Sequence, residues 1–499
     1  MEKEKVKGRV KAKGTWAVSD LIVIVLQLIA TTVFAYLINK VLPLKYWFIV
    51  VLLLAAAAVF VIAKIASYVK QLALYKGKKL SFYVGRKKLI VKIFSVILSA
   101  ILVIVSLYAG KGLGALDSIT GENHQTHLIN IVVMADSPYE KINDLAGKTI
   151  GIAEGIDKEN TDKLLDEIQN KEKVDADTAG FDSVVALAEA LLNGEVEAIL
   201  LNEAYRGLIE DQYGTFTNDT RILYDFEVKE ELKREEKNVD VTEEAFNIYI
   251  SGIDTYGKVS TVSRSDVNMI VTVNPKTKQI LMTSIPRDYY VELASFGVKD
   301  KLTHAGIYGV EESMATLEKE FGITLHYYAR VNFTSLIKIV NALGGINVYN
   351  DQSFTSYHTH DYYPKGEMYM DGETALEFVR ERYGLANGDH DRVKNQQKVL
   401  TAMLKKAMSP SIIKNYGKLM DAVSGSFTTN MDAKEIQSLI QMQVDDMASW
   451  NFEQISVNGT GTKSTSCYSM PGQSVYVMKP DYDTVNNAIE RINSVLRGE

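Results

Sequence analysis

Three arginines, an acidic loop and a basic, amide-rich stretch are packed into Phe378–Val399, FVRERYGLANGDHDRVKNQQKV. Arg380 and Arg382 are two apart, so an extended strand would point both to one face. Arg392 and Gln396 are four apart, which places them on one face of a helix, with Asp389 one turn earlier. Guanidinium groups converging with an amide make a site for a doubly charged oxyanion such as phosphate or pyrophosphate. The competing reading is a surface strand whose arginines are held by Glu377 and Glu381.

A second set of charges is brought together by a hairpin. Val267–Val273 and Gln279–Ile285 read as strands joined by the tight turn Asn274–Lys278 (NPKTK). If Asn274 pairs with Gln279, antiparallel register sets Asp266 opposite Arg287 at the open end. Phe246–Ile253 reads as a buried strand that carries Asp254 at its tip. Two acids and an arginine would then line one rim, against the simpler expectation of a structural salt bridge.

The elements that must position these groups begin with a membrane-embedded N-terminus. The 499-residue chain is 46% hydrophobic with a formal net charge of −7, an average that hides three apolar runs near Leu21–Ile38, Leu44–Ile62 and Leu89–Tyr108. Each is close to the ~20 residues that cross a bilayer, without the 3.6-residue amphipathic pattern of a core helix. Two further runs follow the first, which speaks against a cleaved signal peptide. Lys3, Lys5, Lys7, Arg9, Lys11 and Lys13 precede the first run; Lys70, Lys76, Lys78, Lys79, Arg86, Lys87 and Lys88 lie between the second and third. The positive-inside rule makes both segments cytoplasmic and everything after about Gly110 external. That topogenic role explains the basic residues without a nucleic-acid partner. One cysteine, Cys467, excludes an intrachain disulfide and a Cys-based zinc site, and suits the exterior of a Gram-positive bacterium. The thiol itself reads as a small packed side chain.

Gly110–Gly114 and the polar Asp117–His127 read as a linker. From about Leu128 to Phe226 strands (Ile129–Met134, Thr149–Ala153, Ala198–Asn202) alternate with helices (Thr161–Gln169, Ser183–Leu192, with Gly194 as C-cap), a small α/β unit. Its phrases INDLAGKTIGI and LLNGEVEAILLNEAY resemble one lobe of periplasmic solute-binding domains. Glu227–Glu236 reads as a charged connector. His358, His360 and Asp361 fall in a Tyr-rich turn and read as a solvated loop. His304 reads as a residue that orients backbone. Ser335–Leu343 reads as a core helix, and Ala433–Val444 and Asp483–Leu496 as amphipathic helices around a Gly/Ser/Thr loop, Asn458–Gly472.

The phrases YISGIDTYG, SRSDVNMIVTVNPKTKQILMTSIPRDYYV, KLTHAGIYG, VNALGGINV and VRERYG…GDHDRVKNQQ, in unbroken order, resemble the LytR–CpsA–Psr family. The three-span anchor with an accessory domain is most similar to its capsule-type CpsA branch. The resemblance implies an α/β class chain: residues 1–110 as basic tail and three transmembrane helices, 111–240 as an extracellular α/β accessory domain with linkers, and 241–499 as an α/β/α catalytic domain with a C-terminal extension. It implies a polyprenyl pyrophosphate in an apolar pocket, and transfer of capsular polysaccharide or a related anionic glycopolymer from that lipid to peptidoglycan. Asp254 and Asp266 match the acids associated with a magnesium ion, for which manganese could substitute. Arg287, Arg380, Arg382, Arg392 and Gln396 match the pyrophosphate-binding positions, and Asp389 the loop acid before them. Arg287, Arg380, Arg382 and Asp389 are the expected catalytic residues. Asn395 departs from the arginine common at its position. The implied partners are the lipid-linked polysaccharide, peptidoglycan, the bilayer and other capsule-assembly membrane proteins. Two alternatives stay open: a non-enzymatic regulator of capsule synthesis, and a polyprenyl pyrophosphate phosphatase using water in the same site.

Overall fold

The computed structural model describes residues 22–23, 25–37, 84–121, 124–232, 239–253, 255, 258–409 and 416–499. The chain divides into two units, Met1–Ala115 and Leu116–Glu499.

In the first unit, Val25–Leu37 is an apolar helix, and Lys92–Ser118, within the helix Val84–Gly121, is long and apolar enough to cross a membrane. Ile22, Val25, Leu28, Ile29, Ile93, Ile97 and Ile104 turn outward, as lipid-facing side chains do. Gln27 accepts a hydrogen bond from Ser95 between the two helices. The apolar run Leu44–Ile62 lies outside the described residues. Gly110–Gly114 is no linker: the helix runs through it to Gly121. A glycine costs a helix about 1 kcal/mol, but backbone groups in an apolar surrounding keep their helical hydrogen bonds because nothing else can satisfy them.

The second unit opens with a five-stranded sheet in the order Asp177–Phe181, Thr149–Ala153, Ala198–Asn202, His124–Met134, Thr220–Glu231. The first three strands run parallel; His124–Met134 runs against both its neighbours. Ser183 caps the helix Val184–Leu192 by accepting from the Ala186 amide, and the alanines and leucines behind it bury one sheet face. The helix expected at Thr161 begins at Lys158. Glu227–Glu231 belongs to a strand rather than a connector, because it pairs with His124–Leu128 along the sheet edge. Residues 233–238 are outside the described set.

A six-stranded sheet follows, in the order Phe427–Thr429, Tyr327–Asn332, Phe246–Ile253, Ser265–Asn274, Gln279–Ile285, Asn451–Ser456. Alternation divides its side chains. Tyr249, Ile270 and Leu281 pack with the helices Val310–Phe321 and Tyr482–Arg497. Phe246, Met269, Val271 and Met282 face the other way, toward Leu400, Ile436 and Leu439. On that side lie the helices Asp389–Ala407 and Ala433–Asp446, and Phe333–Ala342 and Gly372–Arg380 pack with the first of these. The result is a sheet covered by helices on both faces. The expected loop Asn458–Gly472 is partly a strand, Gly459–Ser464, paired with Val475–Pro480. Its Gly/Thr composition disguises a hairpin whose register is set by the partner strand.

Candidate functional site

Antiparallel pairing from Asn274↔Gln279 to Asn268↔Ile285 builds the expected hairpin. Beyond its open end, Arg287 Nη1 lies 3.0 Å from Asp266 Oδ2. Thr303 donates to the other Asp266 oxygen at 3.0 Å, which ties the hairpin to the short helix Leu302–Ala305. Gly306 completes that contact: a Cβ there would lie 2.6 Å from the Ser265 amide nitrogen. Next to Arg287, Asp288 pairs with Lys301, and its other oxygen is 3.8 Å from Arg287 Nε, beyond hydrogen-bonding distance.

Asp389 opens the helix Asp389–Ala407 after Gly388, whose φ of +54° suits a residue without a side chain. One turn on, Arg392 pairs with Asp389. Burial would raise the Asp266 pKa, but Arg287, Arg264 and Arg392 together with the Thr303 hydroxyl bring it down to about 2. Asp266, Asp288 and Asp389 raise the pKa of Arg287. Arg392 moves the other way: burial and the like charges of Arg287 and Arg382 outweigh Asp389 and Asp266 and lower its pKa. Arg392 is therefore a buried cation that feels the like charges of Arg287 and Arg382. Nε of both Arg287 and Arg392 is buried and lacks a hydrogen-bond partner among the described residues. Buried cations with spare N–H groups are what a multiply charged oxyanion would relieve.

The RER segment differs from its expectation. Gly372–Arg380 is a helix, capped by Asp371 accepting from the Thr374 amide, with Ala375, Leu376 and Phe378 buried at helical spacing. Arg380 closes the helix and Arg382 lies in the turn after it, so no strand face holds them together. The helix stops because Glu381, fully buried, folds its carboxylate onto the amides of Tyr357, Arg382 and Gly384 at 2.7, 2.8 and 2.8 Å. Neither arginine is paired with Glu381 or Glu377. Arg380 lies 4.4 Å from the Phe333 ring centroid and Arg382 4.5 Å from that of Tyr383.

Gln396 donates to the Val379 carbonyl at 3.4 Å, next to Arg380. Asn395 is buried and donates to the Phe378 carbonyl at 3.3 Å. That bond clamps the helices Asp389–Ala407 and Gly372–Arg380 together, one turn along the helix from Arg392. Asp254 lies outside the described residues. His358, His360 and Asp361 are exposed in a turn, as expected of a solvated loop. His304 is fully buried against Asp300 at 2.7 Å, and Asp300 also accepts from the Ser469 amide and hydroxyl. That set fastens the 300–305 segment behind Thr303. Cys467 is buried, and burial together with Asp300 pushes its thiol up to about 12, far from a reactive thiolate.

The residues missed in the sequence are Arg264, Lys301, Thr303 and Arg330. Arg264 stands two before Asp266 and reaches back to Asp211 at 3.1 Å and the Gly207 carbonyl at 3.3 Å. Gly207 makes room, since a Cβ there would lie 2.5 Å from the guanidinium carbon. Arg330 is 3% exposed, with its Nε unpartnered among the described residues, and burial presses its pKa to about 10. An arginine on the inward face of a strand reading YYARVN was the available signal.

Comparison with known proteins places these residues in a family. The LytR_cpsA_psr family profile matches residues 216–484. A DNA polymerase processivity factor profile matches residues 86–201, a stretch that starts inside the apolar helix. The polyisoprenyl-teichoic acid–peptidoglycan teichoic acid transferase TagU of Bacillus cereus (strain AH820) is 34% identical over 244 residues, 48% of this chain and 78% of that protein. TagU of Enterococcus faecalis (strain ATCC 700802 / V583) is 35% identical over 217 residues, 43% of this chain and 70% of that protein. Among solved structures, B. subtilis TagV is similar with a TM-score of 0.44 and 28% identity, over 51% of this chain and 98% of that one. The hairpin rim with Asp266 and Arg287, the KLTHAG turn and the DHDR helix start all lie within the matched region, and this chain belongs to the LytR–CpsA–Psr family.

Proposed function

We propose that this protein is a membrane-anchored phosphotransferase that moves an anionic glycopolymer, capsular polysaccharide in the first instance, from a polyprenyl pyrophosphate carrier to peptidoglycan. The observation that carries the reading is the pair of ion pairs Arg287–Asp266 and Arg392–Asp389, with Nε of each arginine buried and unpartnered among the described residues. The relatives' names supply the reaction class: TagU is a transferase of polyisoprenyl-linked teichoic acid to peptidoglycan.

In the reaction, a hydroxyl oxygen of the acceptor bonds to the phosphorus that carries the sugar. The bridging P–O bond breaks, and polyprenyl monophosphate leaves with that oxygen. The hydroxyl proton passes to the Asp389 carboxylate. Arg287, Arg392 and Arg382 hold the pyrophosphate and stabilise the charge that builds on its oxygens, while Asp389 orients Arg392 and Gln396 fixes the helix beside Arg380. Asp266, ionised throughout the physiological range, would hold magnesium or manganese together with Asp254. Both Asp266 oxygens keep a lone pair beyond Arg287 and Thr303, and a hard cation bridged to substrate phosphates needs only one or two carboxylates. When bound, the ion would neutralise phosphate charge.

In cells lacking the protein, polymer should shift from the wall-linked fraction to the medium, and the wild-type gene should restore attachment. Unchanged wall attachment on deletion, with no other family member present, would contradict the proposal.

A further inference from the structure

Two large aromatic side chains stand in water beside the arginine cluster. Tyr357 is 60% exposed and Tyr383 62%, with ring centroids 4.8 Å apart and planes inclined at 47°. They come from different loops, and neither loop is loose. The buried Glu381 carboxylate accepts from the amides of Tyr357, Arg382 and Gly384 and so sets the backbone under both rings. Burial raises the pKa of Glu381, but these amides outweigh it and hold the group below its ordinary range, so the clamp stays charged. Gly384 lets the strands of chain close together, since a Cβ there would lie 2.4 Å from the Thr355 carbonyl oxygen. The His358 ring meets Tyr357 edge-on at 5.4 Å.

Arg382 joins this pair to the cluster. Its guanidinium lies over the Tyr383 ring and donates from Nη2 to the Tyr383 hydroxyl at 2.6 Å, and its stem lies by the start of the Arg392 helix, where a Cβ on Gly388 would be 3.9 Å from its Cγ. A phosphate held by Arg382 and Arg392 would place the group attached to that phosphate against the Tyr357–Tyr383 surface. In the donor, that group is a sugar.

Resting on the function proposed above, we infer that Tyr357 and Tyr383 form the subsite for the phosphate-proximal sugars of the lipid-linked donor. A pyranose presents an array of C–H groups on one face and hydroxyls around its rim. The tyrosine faces match the first, and the Tyr383 hydroxyl, His358 and Thr359 match the second. A hydrocarbon tail would strip water from Arg382 without replacing its hydrogen bonds, so the aromatic pair does not suit the isoprenoid end.

The test compares two probes on the full chain in lipid nanodiscs: polyprenyl pyrophosphate without sugar, and the same lipid carrying a disaccharide. The wild type should bind the disaccharide probe more tightly. Tyr357→Ala, which leaves the Arg382–Tyr383 contact in place, should weaken that probe by about tenfold and leave the sugar-free probe unchanged. Tyr383→Phe, which keeps the ring, should stay within about threefold of wild type. Equal loss on both probes, or no loss on either, overturns the sugar subsite while the pyrophosphate reading stands. Unchanged donor binding with reduced use of peptidoglycan would assign the rings to the acceptor and likewise overturn it. Failure of the wild type to bind either probe overturns the proposed function itself, and the subsite with it.

Discussion

Asp266→Ala should lose nearly all of the proposed divalent-dependent transfer and also destabilise the unit Leu116–Glu499. The second effect comes from geometry: Asp266 is a partly buried carboxylate that pairs with Arg287 and accepts from Thr303. Its removal strands Arg287 beside Arg392 and Arg264 with less negative charge to balance them. A carboxylate held near 2 against a free value near 3.9 contributes about 2–3 kcal/mol at neutral pH. The pKa is depressed, so the contribution is fully present above ~4 and fades as pH falls through 2. Thermal unfolding of wild type and variant should therefore differ at pH 7 and converge toward pH 2. Transfer measured with and without magnesium or manganese gives the other half. A variant that keeps normal turnover with the metal withheld would remove Asp266 from the metal site.

Arg380→Lys, Arg382→Lys retains both charges but removes both planar forks. The expected loss of transition-state stabilisation is on the order of 2–4 kcal/mol, similar to removing one oxyanion donor. That is roughly a hundredfold or more in turnover. The two positions should not contribute alike. Arg382 is coupled to Arg392 and stacked on Tyr383, whereas Arg380 ends a helix over Phe333. Arg382→Lys alone should carry the larger share. Polymer should appear shed into the medium at unchanged protein level. Near-normal wall attachment in the double variant would return both arginines to a surface role.

The difference between those two arginines shows what the sequence could and could not reveal. A tight four-residue turn between two paired strands fixes register locally, so the meeting of Asp266 and Arg287 was legible. The RER spacing was not, because a two-residue repeat is equally consistent with a helix end followed by a turn. What decides is Glu381, whose three amide partners are gathered from two loops by tertiary folding. Arg264 was overlooked for the same reason: its partners Asp211 and Gly207 lie far back in the chain, in the preceding sheet domain. Asn395 looked like a lost charge in the head-group site, yet its amide is spent on the Phe378 carbonyl. The glycines of Gly110–Gly114 read as a break because glycine is a weak helix former in water. Helix continuation follows where the surroundings leave backbone groups no other partner.

The most direct test uses the purified full chain in nanodiscs with a labelled polyprenyl-pyrophosphoryl oligosaccharide and peptidoglycan. The label should become covalently fixed to peptidoglycan through a phosphodiester, with one polyprenyl monophosphate released for each chain transferred. Soluble oligosaccharide phosphate in place of a wall-linked product would show water, not a sugar hydroxyl, as the acceptor, and would contradict the account.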